Sequence, residues 1–323
     1  MKLSKPLLLR VGAAVLIAAL VAAGGRKVID AVWAGVQQGA MIALVALGYT
    51  MVYGILKLIN FAHSEVFMMS AYFGLKLTEG FGPKDASASP VFAGVVGTLS
   101  AMVLAGILGV VVEKIAYAPL RSRTRGKSNT NTRITPLVTA LGMSVLLQNL
   151  AQVIFGTRRE SYPQLLPINN VRLIVFVVAV AMMGALQLLV YGTWFGKAMR
   201  AVSVNMEAAR LMGIRTSRII AMTFVTGSML AAVGAILFCL SQSQVYPTMG
   251  TIIGTRSFVA AVIGGIGNIP GAMLGGVLIG IIGELTKLTP YSGLQDVLVF
   301  TVLIAVLLVK PTGLLGKAGI EKV

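Results

Sequence analysis

The chain has 323 residues, 57% of them hydrophobic and only 11% charged, whereas an average soluble protein carries roughly 25% charged residues. That composition excludes an ordinary soluble domain and requires surface that faces lipid. The net charge of +17, from 27 Lys and Arg against 10 Asp and Glu, sits mostly in short loops between apolar runs, which fits orientation in a membrane rather than binding to nucleic acid.

Taken in chain order, the apolar stretches are Leu7–Ala23, Ala31–Gly54, Leu58–Leu75, Val91–Val112, Ile134–Phe155, Val171–Tyr191, Ile219–Leu240, Thr251–Ile263, Gly271–Ile282 and Leu294–Val309. A spanning helix needs about 20 residues. The first stretch follows Lys2 and Lys5 and ends at Gly24 and Gly25. It reads either as a signal peptide or as an extra membrane helix. The eighth and ninth are short, and predict either two broken crossings or one re-entrant hairpin. The expected fold is all-α, a polytopic transmembrane bundle of about 8–10 helices with some broken or re-entrant. Residues 1–30 form an N-terminal extension or extra helix, and 31–323 form one transmembrane domain.

Two loops are rich in basic residues. One holds Lys114, Arg121, Arg123, Arg125, Lys127 and Arg133, and the other Lys197, Arg200, Arg210, Arg215 and Arg218. Both are predicted to be cytoplasmic, as is the tail with Lys310, Lys317 and Lys322. An even number of crossings must then separate Arg218 from the tail.

Three segments interrupt the apolar background. Leu58-Ile59-Asn60-Phe61-Ala62-His63-Ser64-Glu65 brings Asn60, His63, Ser64 and Glu65 to the start of a membrane crossing. Ionisable residues at membrane depth are costly and usually face a bundle interior or a water-filled route. The segment reads as a lining of such a route, or as a helix start with Asn60 as cap and Glu65 held by the helix dipole.

The second, Gly264-Gly265-Ile266-Gly267-Asn268-Ile269-Pro270-Gly271, cannot be crossed by an unbroken helix. It belongs inside protein or along a cavity. Paired interruptions in opposite halves point to transporters built from repeats, although the two halves do not align in sequence. Gly271 and Gly275 have GxxxG spacing, and Ala105 and Gly109 the looser small-residue form, both accounted for by close helix packing.

The third, Gly196 to Gly213, reads as a short amphipathic helix with Met199, Val202, Met206 and Ala209 at helical spacing. Arg200 and Glu207 fall on one face, and Glu207 can pair with Arg210. It is either a helix held out for a partner or a connector on the membrane surface.

Several chemistries find no support. Gly126-Lys127-Ser128 resembles the end of a phosphate loop, but position 121 is Arg and no strand precedes it. His63 and Glu65, two apart, point to different helix faces. The lone cysteine, Cys239, and the lone histidine, His63, exclude an intrachain disulfide and argue against a metal centre built on Cys or His.

Glu207-Ala208-Ala209 followed by Gly213 resembles the EAA loop of ABC-importer permeases, without the Leu-Pro ending of that consensus. Leu47-Gly48-Tyr49-Thr50-Met51-Val52-Tyr53-Gly54-Ile55, Ile59-Asn60-Phe61-Ala62-His63, Ala260 to Gly267, Ile269 to Met273 and Pro311-Thr312-Gly313 resemble LivH-type permeases of branched-chain amino acid importers. The likeness runs from about residue 35 to the C-terminus. Urea and short-amide permeases are similar in these segments. Ser64 stands where the family usually has glycine.

The resemblance implies a bacterial inner-membrane subunit with a cytoplasmic C-terminus, and no enzyme or cofactor in this chain. It implies a second, LivM-type permease, two ABC ATPases that bind ATP and Mg, and a periplasmic amino-acid-binding protein. Arg200, Glu207, Ala208, Ala209 and Gly213 would couple to the ATPases. Asn60, His63, Ser64 and Glu65, with Gly264, Gly265, Gly267, Asn268, Pro270 and Gly271, would line the path. The alternatives are a urea or short-amide permease, and a stand-alone channel or secondary transporter.

Overall fold

The structure, a computed structural model, describes residues 25–81, 90–119, 131–164, 171–290 and 292–316. The Leu7–Ala23 stretch, Arg121 to Lys127 and the tail lysines Lys317 and Lys322 lie outside the described residues.

Every long apolar stretch within them becomes a helix, because a backbone in hydrocarbon must satisfy its own polar groups. The α-helices are α1 (Arg26–Leu56), α2 (His63–Phe81), α3 (Pro90–Val112), α4 (Asn131–Phe155), α5 (Val171–Gly192), α6 (Trp194–Val204), α7 (Met206–Leu211), α8 (Thr216–Gln242), α9 (Met249–Gly264), α10 (Ile269–Lys287) and α11 (Gln295–Val309). A π-helical turn, Glu113–Tyr117, prolongs α3. Seven helices among the described residues are long and apolar enough to cross a membrane.

The stretch read as Gly271–Ile282 is longer than expected. It extends to Lys287, 19 residues in all, because Asn268 and Pro270 start the helix before its apolar core begins. By contrast α9 has 16 residues, about 24 Å at 1.5 Å per residue, short of a hydrocarbon core of about 30 Å.

α1 and α8 are the buried axis of the bundle. They run antiparallel and touch through glycine. A Cβ on Gly227 would lie 3.4 Å from Gly48 Cα, and one on Gly234 would lie 3.6 Å from the Met41 carbonyl. α10 lies along α1, and α3 along α8. The GxxxG face of α10 does pack closely, with Gly275 against the Ala260 carbonyl of α9.

The chain ends α1 at Lys57 and α8 at Ser243, both in the left-handed region. After Lys57 it turns back to start α2 at His63, and after Ser243 it turns back to start α9 at Met249. One offset relates Lys57 to Ser243 and His63 to Met249. Under that offset the contacting pair Gly48–Gly227 maps onto the contacting pair Gly234–Met41. The α1–α2 and α8–α9 hairpins are therefore an inverted repeat, which the sequence of the two halves conceals.

The ends of α1, α5 and α9 meet on one face with α6 and the segment after α11, and α7 packs against α6. That face carries Lys57, Lys197, Arg200, Arg210, Arg215 and Arg218. The far face is closed by a two-residue antiparallel ribbon, Glu160–Ser161 against Gln244–Val245, and by Lys76 Nζ donating to Glu160 at 2.6 Å. Between Arg218, in the first turn of α8, and Lys310 the chain forms α8 to α11, of which α8, α10 and α11 are of membrane-spanning length and α9 is shorter.

Candidate functional site

The two returning helices begin inside the bundle. His63 packs into the notch at Gly48, two turns before the end of α1, or about 12 Å in from that end. The start of α9 lies beside the start of α2. Gly250 faces the Ser64 carbonyl and Glu65 Oε2, and Gly254 faces the Ser64 side chain. Under the repeat, Ser64 and Gly250 are equivalent positions, so their contact lies on the pseudo-two-fold axis.

Each polar residue of the first interruption has its own neighbour. Asn60 Oδ1 accepts from the buried Tyr117 hydroxyl at 3.0 Å, and the Asn60 carbonyl accepts from His63 N at 3.1 Å where α2 begins. The π-helical turn brings that tyrosine round to it and against Phe224, ring centroids 5.3 Å apart. His63 stacks edge-on to Tyr49 at 5.0 Å. Ser64 Oγ donates to the Phe61 carbonyl at 2.8 Å, and the Cβ that distinguishes it from glycine is received by Gly254. Glu65 lies in the first turn of α2 and accepts from Ser144 Oγ of α4 at 3.4 Å. Asn60, His63, Ser64 and Glu65 are all buried between helices, and none of them lines the large cavity described next.

The second interruption is a sharp elbow. α9 stops at Gly264, Gly265 and Gly267 take positive φ, and Asn268 Oδ1 accepts from Gly271 N at 3.1 Å to start α10 with Pro270 in its first turn. Proline is tolerated there because its missing N–H would be unpaired anyway. The carbonyls freed at the end of α9 are met by the segment after α11. Leu314 N donates to Ile263 O at 2.7 Å and Leu315 N to Gly264 O at 3.1 Å, while Asn268 Nδ2 donates to Leu315 O at 2.6 Å.

Beside the elbow lies a cavity of ≈ 830 Å³, walled by Gly267, Asn268, Pro270, Tyr53, Tyr191 and Thr312 among others. Among the described residues its charged lining side chains are Lys57 and Arg200, and none is acidic. Arg200 donates to the Val190 carbonyl and lies over the Tyr191 ring at 5.4 Å. The structure thus gathers Gly267, Asn268, Pro270 and Arg200 at one cavity and leaves the Asn60–Glu65 group apart from it. Gly264, Gly265 and Gly271 sit behind the cavity wall in backbone contacts.

The expected single helix from Gly196 to Gly213 is two. Asn205 adopts an extended backbone and ends α6, and its Oδ1 accepts from both Glu207 N and Ala208 N at 3.0 Å to start α7. Asparagine favours this role because its side chain replaces the backbone acceptors that a helix start lacks. The break separates Arg200, turned into the cavity, from Glu207, Ala208 and Arg210, which are exposed. Arg210 does not pair with Glu207. It donates to Thr216 Oγ1 at 2.8 Å and reaches Met206 Sδ at 3.8 Å. Ala209 is buried, and Gly213 takes φ 84° to leave the helix.

Some of the exposed surface here was not singled out from sequence. Leu211 is 89% and Met212 82% exposed at the end of α7, and neither falls on the apolar stripe of Met199, Val202, Met206 and Ala209. Lys57 and Tyr191 at the cavity carried no signal beyond lying at the ends of apolar runs.

Membrane-length helices, two inverted hairpins whose second arms begin inside the bundle, and a charged cavity beneath an exposed helix pair define a multi-pass membrane permease. The chain belongs to the family described as branched-chain amino acid transport system permease component, whose pattern matches residues 31–307. It is 37% identical to the high-affinity branched-chain amino acid transport system permease protein LivH of Escherichia coli K12, over 90% of this chain and 96% of that one. It is 36% identical to the corresponding protein BraD of Pseudomonas aeruginosa, with the same shares covered. A probable LivH of Methanocaldococcus jannaschii is 26% identical over 85% of this chain and 89% of that one. No solved structure matches the chain. These relatives are transport permeases and not enzymes, and a permease component implies partner subunits.

Proposed function

We propose that this chain is one of two permease subunits of an ATP-driven bacterial importer, and that its cargo is leucine, isoleucine and valine. The observation that carries this reading is the near full-length likeness to relatives named for branched-chain amino acid transport. The second subunit is a LivM-type permease. Two ABC ATPases bind Mg-ATP on the cytoplasmic side, and a periplasmic protein delivers the amino acid. The α6–α7 face is then cytoplasmic in the inner membrane, as is the end of the chain, in keeping with its basic residues.

In this reading α7 is the coupling element. Glu207, Ala208, Leu211 and Met212 stand clear of the bundle and enter a cleft of the ATPase, while Ala209 and Gly213 fix how far they project. Closure of the ATPases pushes on α7 and, through α6, on the end of α5 and the cavity wall at Arg200. The cavity is the exit chamber. Lys57 and Arg200 receive the carboxylate of the departing amino acid, and Asn268 and the first turn of α10 offer further donors.

The test is uptake of labelled leucine by proteoliposomes holding the full complex, with isoleucine, valine, urea and alanine as competitors. Uptake that needs ATP and is blocked by isoleucine and valine is the expected result. Uptake without ATP or the ATPases would overturn the importer reading in favour of a channel or secondary transporter. ATP-dependent activity competed only by urea would keep the class and replace the cargo.

A further inference from the structure

Most of the outer surface of the bundle is apolar. Leu99, Val103 and Ile107 stand exposed along α3, and Val297, Ile304 and Leu308 along α11. One strip departs from this. Ser144 and Gln148 lie one turn apart near the middle of the 25-residue helix α4, and Thr251 and Thr255 lie one turn apart on α9, all four reaching the surface. α4 packs on α2 and meets α9 across a gap that Gln148 Nε2 bridges to Thr251 Oγ1 at 3.5 Å.

Glu65 forms the floor of this gap. Its side chain is buried and Ser144 Oγ donates to its Oε1 at 3.4 Å, while Ser64 Oγ, whose proton goes to the Phe61 carbonyl, lies at 3.4 Å from the same oxygen. Oε2 makes no hydrogen bond of normal geometry among the described residues and lies at the start of α9, beside Gly250 and close enough to the Thr251 hydroxyl to feel it. The ion pairs among the described residues are Lys76 with Glu79 and Glu160, Arg256 with Asp296, and Lys287 with Glu284. His63, two positions away, points into the Gly48 notch. A buried carboxylate without a counter-ion is costly, and polar side chains turned toward hydrocarbon are costly too. The strip therefore faces something polar, and a cation placed at Oε2 would offset the cost of burying Glu65 as a carboxylate.

We propose that the α4–α9 groove recognises the ammonium group of the transported amino acid, with the Glu65 carboxylate as its principal acceptor. The proposal rests on the chain being an amino acid permease. An ammonium carries three donors and no acceptor. The groove offers the oxygens of Ser144 and Thr251 at its surface, with the buried Glu65 Oε2 behind them. These residues come from three helices, and two of those helices, α2 and α9, are the paired arms of the inverted repeat that begin inside the bundle. A relative movement of the two repeats thus changes the shape of this groove directly.

The native cysteine, Cys239, is fully buried, so within this chain an introduced cysteine reports alone, and labelling is read on this subunit after the complex is separated. In proteoliposomes holding the full complex, Ser144→Cys should react at least tenfold faster with a cationic methanethiosulfonate than with an anionic one of similar size. Val145→Cys, on the outward apolar face, should react with neither. Saturating leucine should slow the Ser144→Cys reaction. Adding Glu65→Gln should bring the two reagents to equal rates, and adding Glu65→Asp should keep the preference even if the first variant assembles poorly. Failure of Ser144→Cys to react, or a preference that survives Glu65→Gln, overturns the proposal. Leucine uptake by the unsubstituted complex is measured alongside. Its absence with the cation preference intact overturns the amino acid reading and leaves a site for another cation. Its presence without the preference overturns this proposal alone.

Discussion

Lys57 and Ser243 share one backbone conformation, φ 55° and ψ 26° in the first and φ 54° and ψ 26° in the second. Each closes a long central helix and stands six residues before a helix that begins inside the bundle. Neither is glycine, so each turn holds an L-residue in the left-handed region, at a cost of roughly 1–2 kcal/mol.

Ser243→Gly should therefore stabilise the protein by up to about 1 kcal/mol, less whatever the freer unfolded chain takes back. Ser243→Val should destabilise it by about 1–2 kcal/mol, since a branched Cβ worsens the same clash. Thermal unfolding midpoints of the purified protein in detergent give the order glycine, wild type, valine. An unchanged midpoint for the valine variant would mean that the turn relaxes to another conformation.

The contact of Ser64 with Gly254 makes a paired prediction. A methyl on Gly254 would meet the Ser64 Cβ, so Gly254→Ala alone should lower stability by roughly 1–3 kcal/mol through overpacking. Adding Ser64→Gly should recover most of that loss. Yield of folded protein and unfolding midpoints of the two single variants and the double variant measure the coupling, and additive effects would show that the two positions do not share the contact.

Asn205 holds the first turn of α7 by two hydrogen bonds. Asn205→Ala should cost that turn about 1 kcal/mol with no change in the bundle, whose unfolding midpoint should match wild type. In the assembled importer, ATP hydrolysis should continue while leucine moved per ATP falls. Asn205→Asp keeps the acceptor and should restore the ratio. Equal ratios for all three would remove α7 from the coupling route.

Tyr117→Phe leaves the Asn60 carbonyl buried without its donor, a loss of about 1–3 kcal/mol. Combined with Asn60→Leu the loss should shrink, because both polar partners are then gone. A double-mutant cycle on unfolding midpoints reads the coupling, and a coupling of zero would mean that the bond adds nothing.

The spans and the elbow at Gly264–Gly271 were legible in the sequence because hydropathy and glycine, asparagine and proline act locally. Val171–Tyr191 was read within a residue of the helix that forms. The inverted repeat was not legible, since Lys57 and Ser243 share a conformation and no chemistry. The break at Asn205 hid inside an amphipathic pattern that continues on both sides of it, and an asparagine caps or is tolerated according to what its side chain can reach. The α4–α9 groove was out of reach for another reason. Ser144 and Thr251 are ordinary hydroxyl residues in apolar helices, far apart in the chain, and only the packing of α2 between them sets Glu65 behind both.

The segment that pairs with the end of α9 has a consequence for biosynthesis. Ile263 O and Gly264 O find their donors at Leu314 and Leu315, and Asn268 Nδ2 finds its acceptor at Leu315. A ribosome that has just delivered α10 to the membrane has therefore produced an elbow whose bonds are still missing. They can form only after α11 has been inserted and residue 315 has emerged. Until then the elbow must be tended by water or by the insertion machinery, and a nascent chain arrested between α10 and residue 314 would carry an open joint at the wall of the cavity.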